Sequence, residues 1–143
     1  MSLFPMEAST QEAQAAITDE FTLFSDWSER YQYLIDLGKK LPPLDDAFKT
    51  ETYRLHGCQS NVWITHRLED GRLYFDAASD STIVAGLIFL ALRVYSGRAP
   101  DEILATTPDY VRTIGLERHL SPTRSNGHAA LLQFIQDRAS DAQ

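Results

Sequence analysis

Apolar residues recur at helical intervals through Trp27, Tyr31, Leu34 and Ile35, and Asp26-Trp27-Ser28-Glu29 just before them has the spacing of a capping box. A helix is therefore predicted to open at Asp26 and to end at Gly38 and Pro42-Pro43. An aromatic stripe at this spacing faces a core far more often than a groove, so Trp27, Tyr31 and Leu34 are assigned to the core. The period then shortens to two. Residues 52–56, 61–68 and 72–76 read as strands, with Asp70-Gly71 as a hairpin turn, which predicts a three-stranded antiparallel sheet. The small and polar residues Gly57-Cys58-Gln59-Ser60 join the first two strands and suit a tight reversal, so Cys58 is expected on a turn. From Ser79 the pattern is helical again, and residues 83–95, apolar on nearly all sides until Gly97, should form the most buried helix. Pro100-Asp101-Glu102 starts a short helix, Pro108 starts another that ends near Gly115, and Asn126-Gly127 precedes a last one through Ala129, Leu132, Phe134 and Ile135. This order predicts an α+β domain with helices packed on one face of the sheet. Residues up to about Gln14 are small and polar, and are expected to fray.

Length and composition narrow the class. A chain of 143 residues that is 43% hydrophobic is long enough for one core and short for two, so a single domain over 1–143 is expected. Lys and Arg number 13 against 20 Asp and Glu, and a net charge of −7 repels phosphate backbones and acidic headgroups, so neither nucleic acid nor a membrane is an expected partner. The longest apolar run, residues 83–92, falls short of the roughly 20 residues a membrane span needs. The N-terminal stretch has no basic region and does not read as a signal peptide, which makes a cytoplasmic location the expectation.

One cysteine permits neither an intramolecular disulfide nor a multi-cysteine metal site. A lone intracellular cysteine is most often a small buried hydrophobe. Such a residue belongs inside an apolar run, whereas Cys58 stands between Gly57 and Gln59 on a predicted turn, where a partner can reach it. A persulfide relay needs one thiolate to attack the outer sulfur of a donor persulfide, and a second thiol nearby would expel that sulfur as sulfide. A single cysteine satisfies both conditions.

The run Gly57-Cys58-Gln59-Ser60 followed by Val62-Trp63-Ile64 resembles the signature of the SufE/CsdE family of sulfur acceptors for cysteine desulfurases. Trp27, Arg30-Tyr31, Leu34-Ile35, Leu37-Gly38 and Leu41-Pro42 are similar to the family's first helix, and Asp80-Ser81, Ile83-Val84 and Gly86-Leu87-Ile88 to its long helix. Leu120-Ser121-Pro122-Thr123-Arg124-Ser125 with Gly127 resembles its C-terminal signature, so that the likeness runs from about Phe21 to Ala139. The resemblance implies an α+β fold shared with IscU-type scaffolds, a persulfide on Cys58 and a SufS- or CsdA-like pyridoxal-phosphate desulfurase as donor. It implies delivery toward a downstream cluster scaffold in iron-sulfur assembly, with no cofactor held by this chain.

Arg124 matches the family's arginine, and a guanidinium near Cys58 would favour the thiolate; the alternative is a surface arginine near a helix start. His56 could act as a base, although His-x-Cys supplies only two ligands and no metal site is expected. Gln59 and Ser60 can bond the turn's backbone or a bound persulfide, and Gly57 suggests a turn with a sheltered and an exposed state. His119 and His128, flanking the C-terminal motif, are assigned structural roles. Two other functions compete with the relay: a non-covalent adaptor that activates a desulfurase by contact, and a cysteine hydrolase, for which no histidine and orienting group attend Cys58. No Gly-rich nucleotide fingerprint is present.

Overall fold

In the computed structural model, which describes residues 3–57 and 60–143, seven helices surround a two-stranded antiparallel sheet among the described residues, an α+β architecture. The elements run α1 (Thr10–Phe21), α2 (Trp27–Gly38), two short 3-10 turns, β1 (Val62–Glu69), β2 (Arg72–Ser79), α3 (Thr82–Tyr95), α4 (Pro100–Ala105), α5 (Tyr110–Thr113), α6 (Leu116–His119) and α7 (Pro122–Asp141).

The strands form a hairpin in register from Val62 opposite Ser79 to Glu69 opposite Arg72. Asp70 and Gly71 both have positive φ, 51° and 76°, the backbone a two-residue turn of this hand requires. The predicted third strand is reduced to a single bridge between Arg54 and Trp63. Tyr53 N–H instead bonds Thr50 O at 3.1 Å, winding Glu51–Tyr53 into a 3-10 turn, and of residues 51–56 only Leu55 is buried. So polar a run has little to gain from extending across the sheet. On the other edge, Leu73 exchanges bonds with Gly97 and Arg98 at 2.8 and 2.9 Å, so the chain leaving α3 covers β2.

α3 is the central element, buried on all sides from Gly86 to Tyr95, as its uninterrupted apolar run predicts. α2 crosses it at Gly86, where an added Cβ would lie 2.1 Å from Leu34 O. α7 packs on α3, and α4 packs on α7.

The N-terminal residues do not fray as expected. Ser9 caps α1, whose Ala13, Ile17 and Phe21 are buried, and Phe4 packs edge-on against Phe89 of α3 at 5.3 Å. Arg93, almost fully buried in α3, holds the Glu7 and Glu20 carboxylates at 2.7 and 2.8 Å. Arg98 donates to three backbone carbonyls, among them Glu7 O at 2.6 Å. Burial pushes the Glu20 carboxyl up, but hydrogen bonds from Arg93 and Tyr33 prevail and hold it below its usual range. Two cations inside the apolar core thus fasten the segment that composition alone marks as loose.

The last helix also begins earlier than predicted. Ser121 caps it, accepting from Arg124 N–H at 3.3 Å, and Pro122 takes the first position, where a missing N–H costs nothing. Asn126 and Gly127 lie inside the helix. No helix among the described residues is long and apolar enough to cross a membrane.

Candidate functional site

The connection from Leu55 to Val62 is tied at its base. Leu55 N–H donates to Val62 O at 2.8 Å, and the backbone N–H and side-chain amide of Asn61 meet the Asp80 carboxylate at 3.2 and 2.9 Å, just ahead of α3. Between these anchors stand His56, Gly57, Cys58, Gln59 and Ser60. Cys58 and Gln59, expected as persulfide carrier and supporting residue, lie outside the described residues. Covalent geometry still bounds the neighbourhood, since two peptide units reach at most about 7 Å, and Cys58 is two residues from Ser60.

Gly57 has φ 95°, a left-handed conformation that side-chain-bearing residues rarely adopt, and a Cβ there would lie 3.4 Å from the Ala130 methyl on α7. Gly57 therefore lies close to the last helix. His56 is exposed, with Nε2 4.0 Å from Glu51 Oε1, and does not line the cavity described next. Among the described residues no group of three or more His, Cys, Asp or Glu side chains is placed to hold a metal ion.

Ser60 opens onto a cavity of about 510 Å³. Its apolar wall comes from Val62 at the start of β1, Val84, Leu87 and Ile88 on α3, and Leu131 on α7. Its polar wall is the first two turns of α7: Ser121, Thr123, Arg124, Gly127 and His128. Because α7 begins at Pro122, Arg124 sits in its first turn, where unpaired backbone N–H groups add partial positive charge to that of the guanidinium. Arg124 Nη1 donates to Tyr31 Oη in a short hydrogen bond, and its guanidinium lies 5.9 Å from that ring's centroid. Tyr31, assigned to core from its spacing, thus also holds an arginine at the cavity. Ser60 and Arg124, 64 positions apart (124 − 60), share one space.

His128, assigned a structural role from the sequence, lines the same cavity. It is 5% exposed, and its Nε2 lies 3.0 Å from the Tyr110 hydroxyl, itself fully buried. Burial lowers the imidazole's pKa to about 4, so the ring is neutral near pH 7, and raises that of the Tyr110 phenol well above its ordinary value. Its sequence neighbourhood, Gly127-His128-Ala129, carries no signal for this position, which arises from the packing of α7 against α3. His119, by contrast, stacks on Trp27 with centroids 4.3 Å apart.

A larger and more open groove of about 750 Å³ lies between Pro42-Pro43, the outer part of β1 and α7. Its charged residues are mostly paired, Arg54 with Glu51, Arg67 with Asp76 and Arg138 with Asp141, and it does not include Ser60.

Comparison with known proteins matches this architecture. A hypothetical protein from Thermus thermophilus, known as a solution structure, superposes with a TM-score of 0.71 over 93% of this chain and 94% of its own at 23% identity, which is a likeness of fold. An uncharacterised SufE-like protein of Synechocystis is 36% identical over 125 residues, covering 87% of this chain and 79% of that protein. SufE-like protein 1, chloroplastic/mitochondrial, of Arabidopsis thaliana is 40% identical over 111 residues, 77% of this chain and 30% of the plant protein. The profile of SufE, described as an Fe-S metabolism associated domain, spans residues 15–139, and with these relatives it establishes that the chain belongs to the SufE family.

Proposed function

We propose that the protein is a sulfur acceptor and carrier: Cys58 takes a persulfide sulfur from a cysteine desulfurase and passes it toward a downstream iron-sulfur cluster scaffold. The observation that carries this reading is the family match across the lone cysteine, joined to a cavity that begins at Ser60, two residues on, and is walled by Arg124.

In the proposed step the Cys58 thiolate, its proton released to solvent, attacks the outer sulfur of the desulfurase persulfide. A sulfur-sulfur bond forms to Cys58, the donor's sulfur-sulfur bond breaks, and its electron pair remains on the desulfurase cysteine as a thiolate. No net oxidation occurs. The acceptor's thiolate repeats the exchange at Cys58. Arg124 and the first turn of α7 supply positive charge that favours an anionic sulfur. The apolar wall of Val62, Leu87, Ile88 and Leu131 restricts access by small thiols. Gly57, Gln59 and Ser60 shape the connection, and His56, exposed at its outer end, is a residue the desulfurase can meet.

Incubation with a desulfurase and free cysteine, followed by intact mass spectrometry, is expected to show one added sulfur that localises to Cys58. Cys58→Ser is expected to abolish both that mass and any stimulation of the desulfurase. A variant that still stimulates fully would identify a contact-only activator and refute the relay.

A further inference from the structure

The outer edge of β1 is left open. The two-residue turn at Asp70-Gly71 makes Glu69 and Arg72 a hydrogen-bonded pair, and such pairs alternate along an antiparallel ladder, so Arg67, Thr65 and Trp63 turn their N–H and C=O groups toward β2. The residues between them turn theirs outward. Val62 shows this directly, since its carbonyl accepts from Leu55 N–H on the side away from β2. That contact belongs to the bridge between Arg54 and Trp63, and beyond it no further strand pairs with β1 among the described residues. The outward N–H and C=O groups of His66 and Leu68 therefore face the place that a third strand would take. Open edges are usually blunted by a proline, a bulge or a covering element, yet β1 contains no proline, its register is unbroken to Glu69, and Leu68 is 53% exposed.

The open groove of about 750 Å³ follows this edge, because Ile64 and His66 line it from one face of the strand and Thr65 and Arg67 from the other. It shares no lining residue with the cavity at Ser60. On the His66 face the surface is apolar, with the Phe134 ring 6.0 Å from the imidazole and the Arg138 guanidinium 5.0 Å over that ring. The charged lining is Arg54, Arg67 and Arg138 against Asp45 and Asp76, which makes the groove net positive on a chain of net charge −7. Glu51 and Asp141, the acids paired with Arg54 and Arg138, are largely exposed and stand outside it, and exposed pairs of this kind are weak enough to exchange for another carboxylate.

We propose that the β1 edge is a docking site for an extended segment of a partner protein that alternates acidic with apolar residues and joins the sheet as its third strand. The backbone of the segment pairs with His66 and Leu68. Its acidic side chains fall beside Arg67, as cross-strand neighbours on one face, and its apolar ones fall toward His66 and Phe134 on the other. The assignment stands whether or not Cys58 carries sulfur.

The probe is a capped peptide of about eight residues alternating glutamate and valine, titrated into the 15N-labelled protein, with the lysine-valine peptide as control. The glutamate peptide is expected to shift the resonances of residues 64–68 and to slow hydrogen exchange at His66 and Leu68 by about tenfold or more, while Thr65 and Arg67, already bonded within the hairpin, change little. The lysine peptide is expected to do neither. Leu68→Pro removes one outward N–H and no hairpin bond, and should weaken binding about fivefold, the scale of one backbone hydrogen bond. Should that form not fold, Arg67→Gln with Arg138→Gln leaves the edge intact and should weaken binding about tenfold at low salt. Equal binding of the two peptides, shifts at other surfaces alone, no shift at all, or unchanged affinity in the variants would overturn the proposal. Protection of His66 and Leu68 that grows with protein concentration in the absence of peptide would assign the edge to a second copy of the chain, and overturn it as well.

Discussion

Replacing His128 should change how stability depends on pH, by an amount the structure sets. In the unfolded chain the imidazole titrates near 6.5, whereas burial between α5, α3 and α7 lowers the folded value to about 4. The folded state resists a proton that the unfolded state accepts. Between those two values the unfolded state therefore binds more protons, and stability rises with pH. The contribution is complete above about 6.5 and is lost progressively as pH falls toward 4. A difference of 2.5 units (6.5 − 4) at about 1.4 kcal/mol each corresponds to roughly 3 kcal/mol over the window. His66 is lowered by burial with the same sign, but its exposure lets solvent screen most of the effect. Glu20, held below its usual range, loses its contribution only below about 4.5, beneath most of the window. Urea denaturation at pH values from about 7.5 down to about 4.5 should show a fall of about 2 to 3 kcal/mol in the unaltered protein and a nearly flat profile in the Tyr110→Phe, His128→Asn form. A slope equally steep in both would show that the His128 ring takes up its proton at an ordinary pH and would refute the burial account.

Two further outcomes test the frame around the site. Gly86→Ala should destabilise by about 2 kcal/mol or more in denaturant melts, because a Cβ 2.1 Å from Leu34 O forces α2 off α3 and outweighs the helix-propensity gain of about 1 kcal/mol; unchanged stability would mean that the two helices separate freely. Arg93→Met should cost about 3 kcal/mol by urea midpoint, because Glu7 and Glu20 lose their shared partner, and adding Glu20→Gln should recover part of it; no recovery would refute the ion-pair account.

Local chemistry made much of this fold legible in the sequence. Asp26 caps α2 through Glu29 N–H at 2.9 Å, Asp70-Gly71 turns the hairpin, and the apolar run up to Tyr95 is the most buried helix, each set by a short stretch acting on its own backbone. The errors arose where distant contacts decide. The first helix carries a narrow stripe of Ala13, Ile17 and Phe21 at four-residue spacing, hidden in polar composition, and it holds because Arg93 on α3 binds the acids beside it. The start of α7 was readable in Ser121-Pro122, a cap followed by a first-position proline, but Asn126-Gly127 offered a competing stop that tertiary packing overrides. The third strand failed because two-residue alternation among Thr52, Arg54 and His56 supplies a pattern without apolar area to bury. Recognition of the family came from several separated motifs read in order, and the profile over residues 15–139 agrees with it. The environment of His128 was not legible because its partner, Tyr110, stands 18 positions away.

A sulfur carrier must satisfy two demands that oppose each other, reach toward a donor and refuge from every other thiol. A rigid pocket would give refuge and prevent delivery, and a free loop would do the reverse. Here the connection carrying Cys58 is tied at both ends, by Leu55 to Val62 and by Asn61 to Asp80, so that any movement of the residues between is confined to a span of a few peptide units. On that reading Gly57 is suited to such movement, since its left-handed backbone is reached without a Cβ penalty. The refuge must then hold an anion without trapping it. On the proposed carrier reading Arg124, with Tyr31 already accepting from Nη1, would attract that charge through a guanidinium that keeps part of its bonding elsewhere.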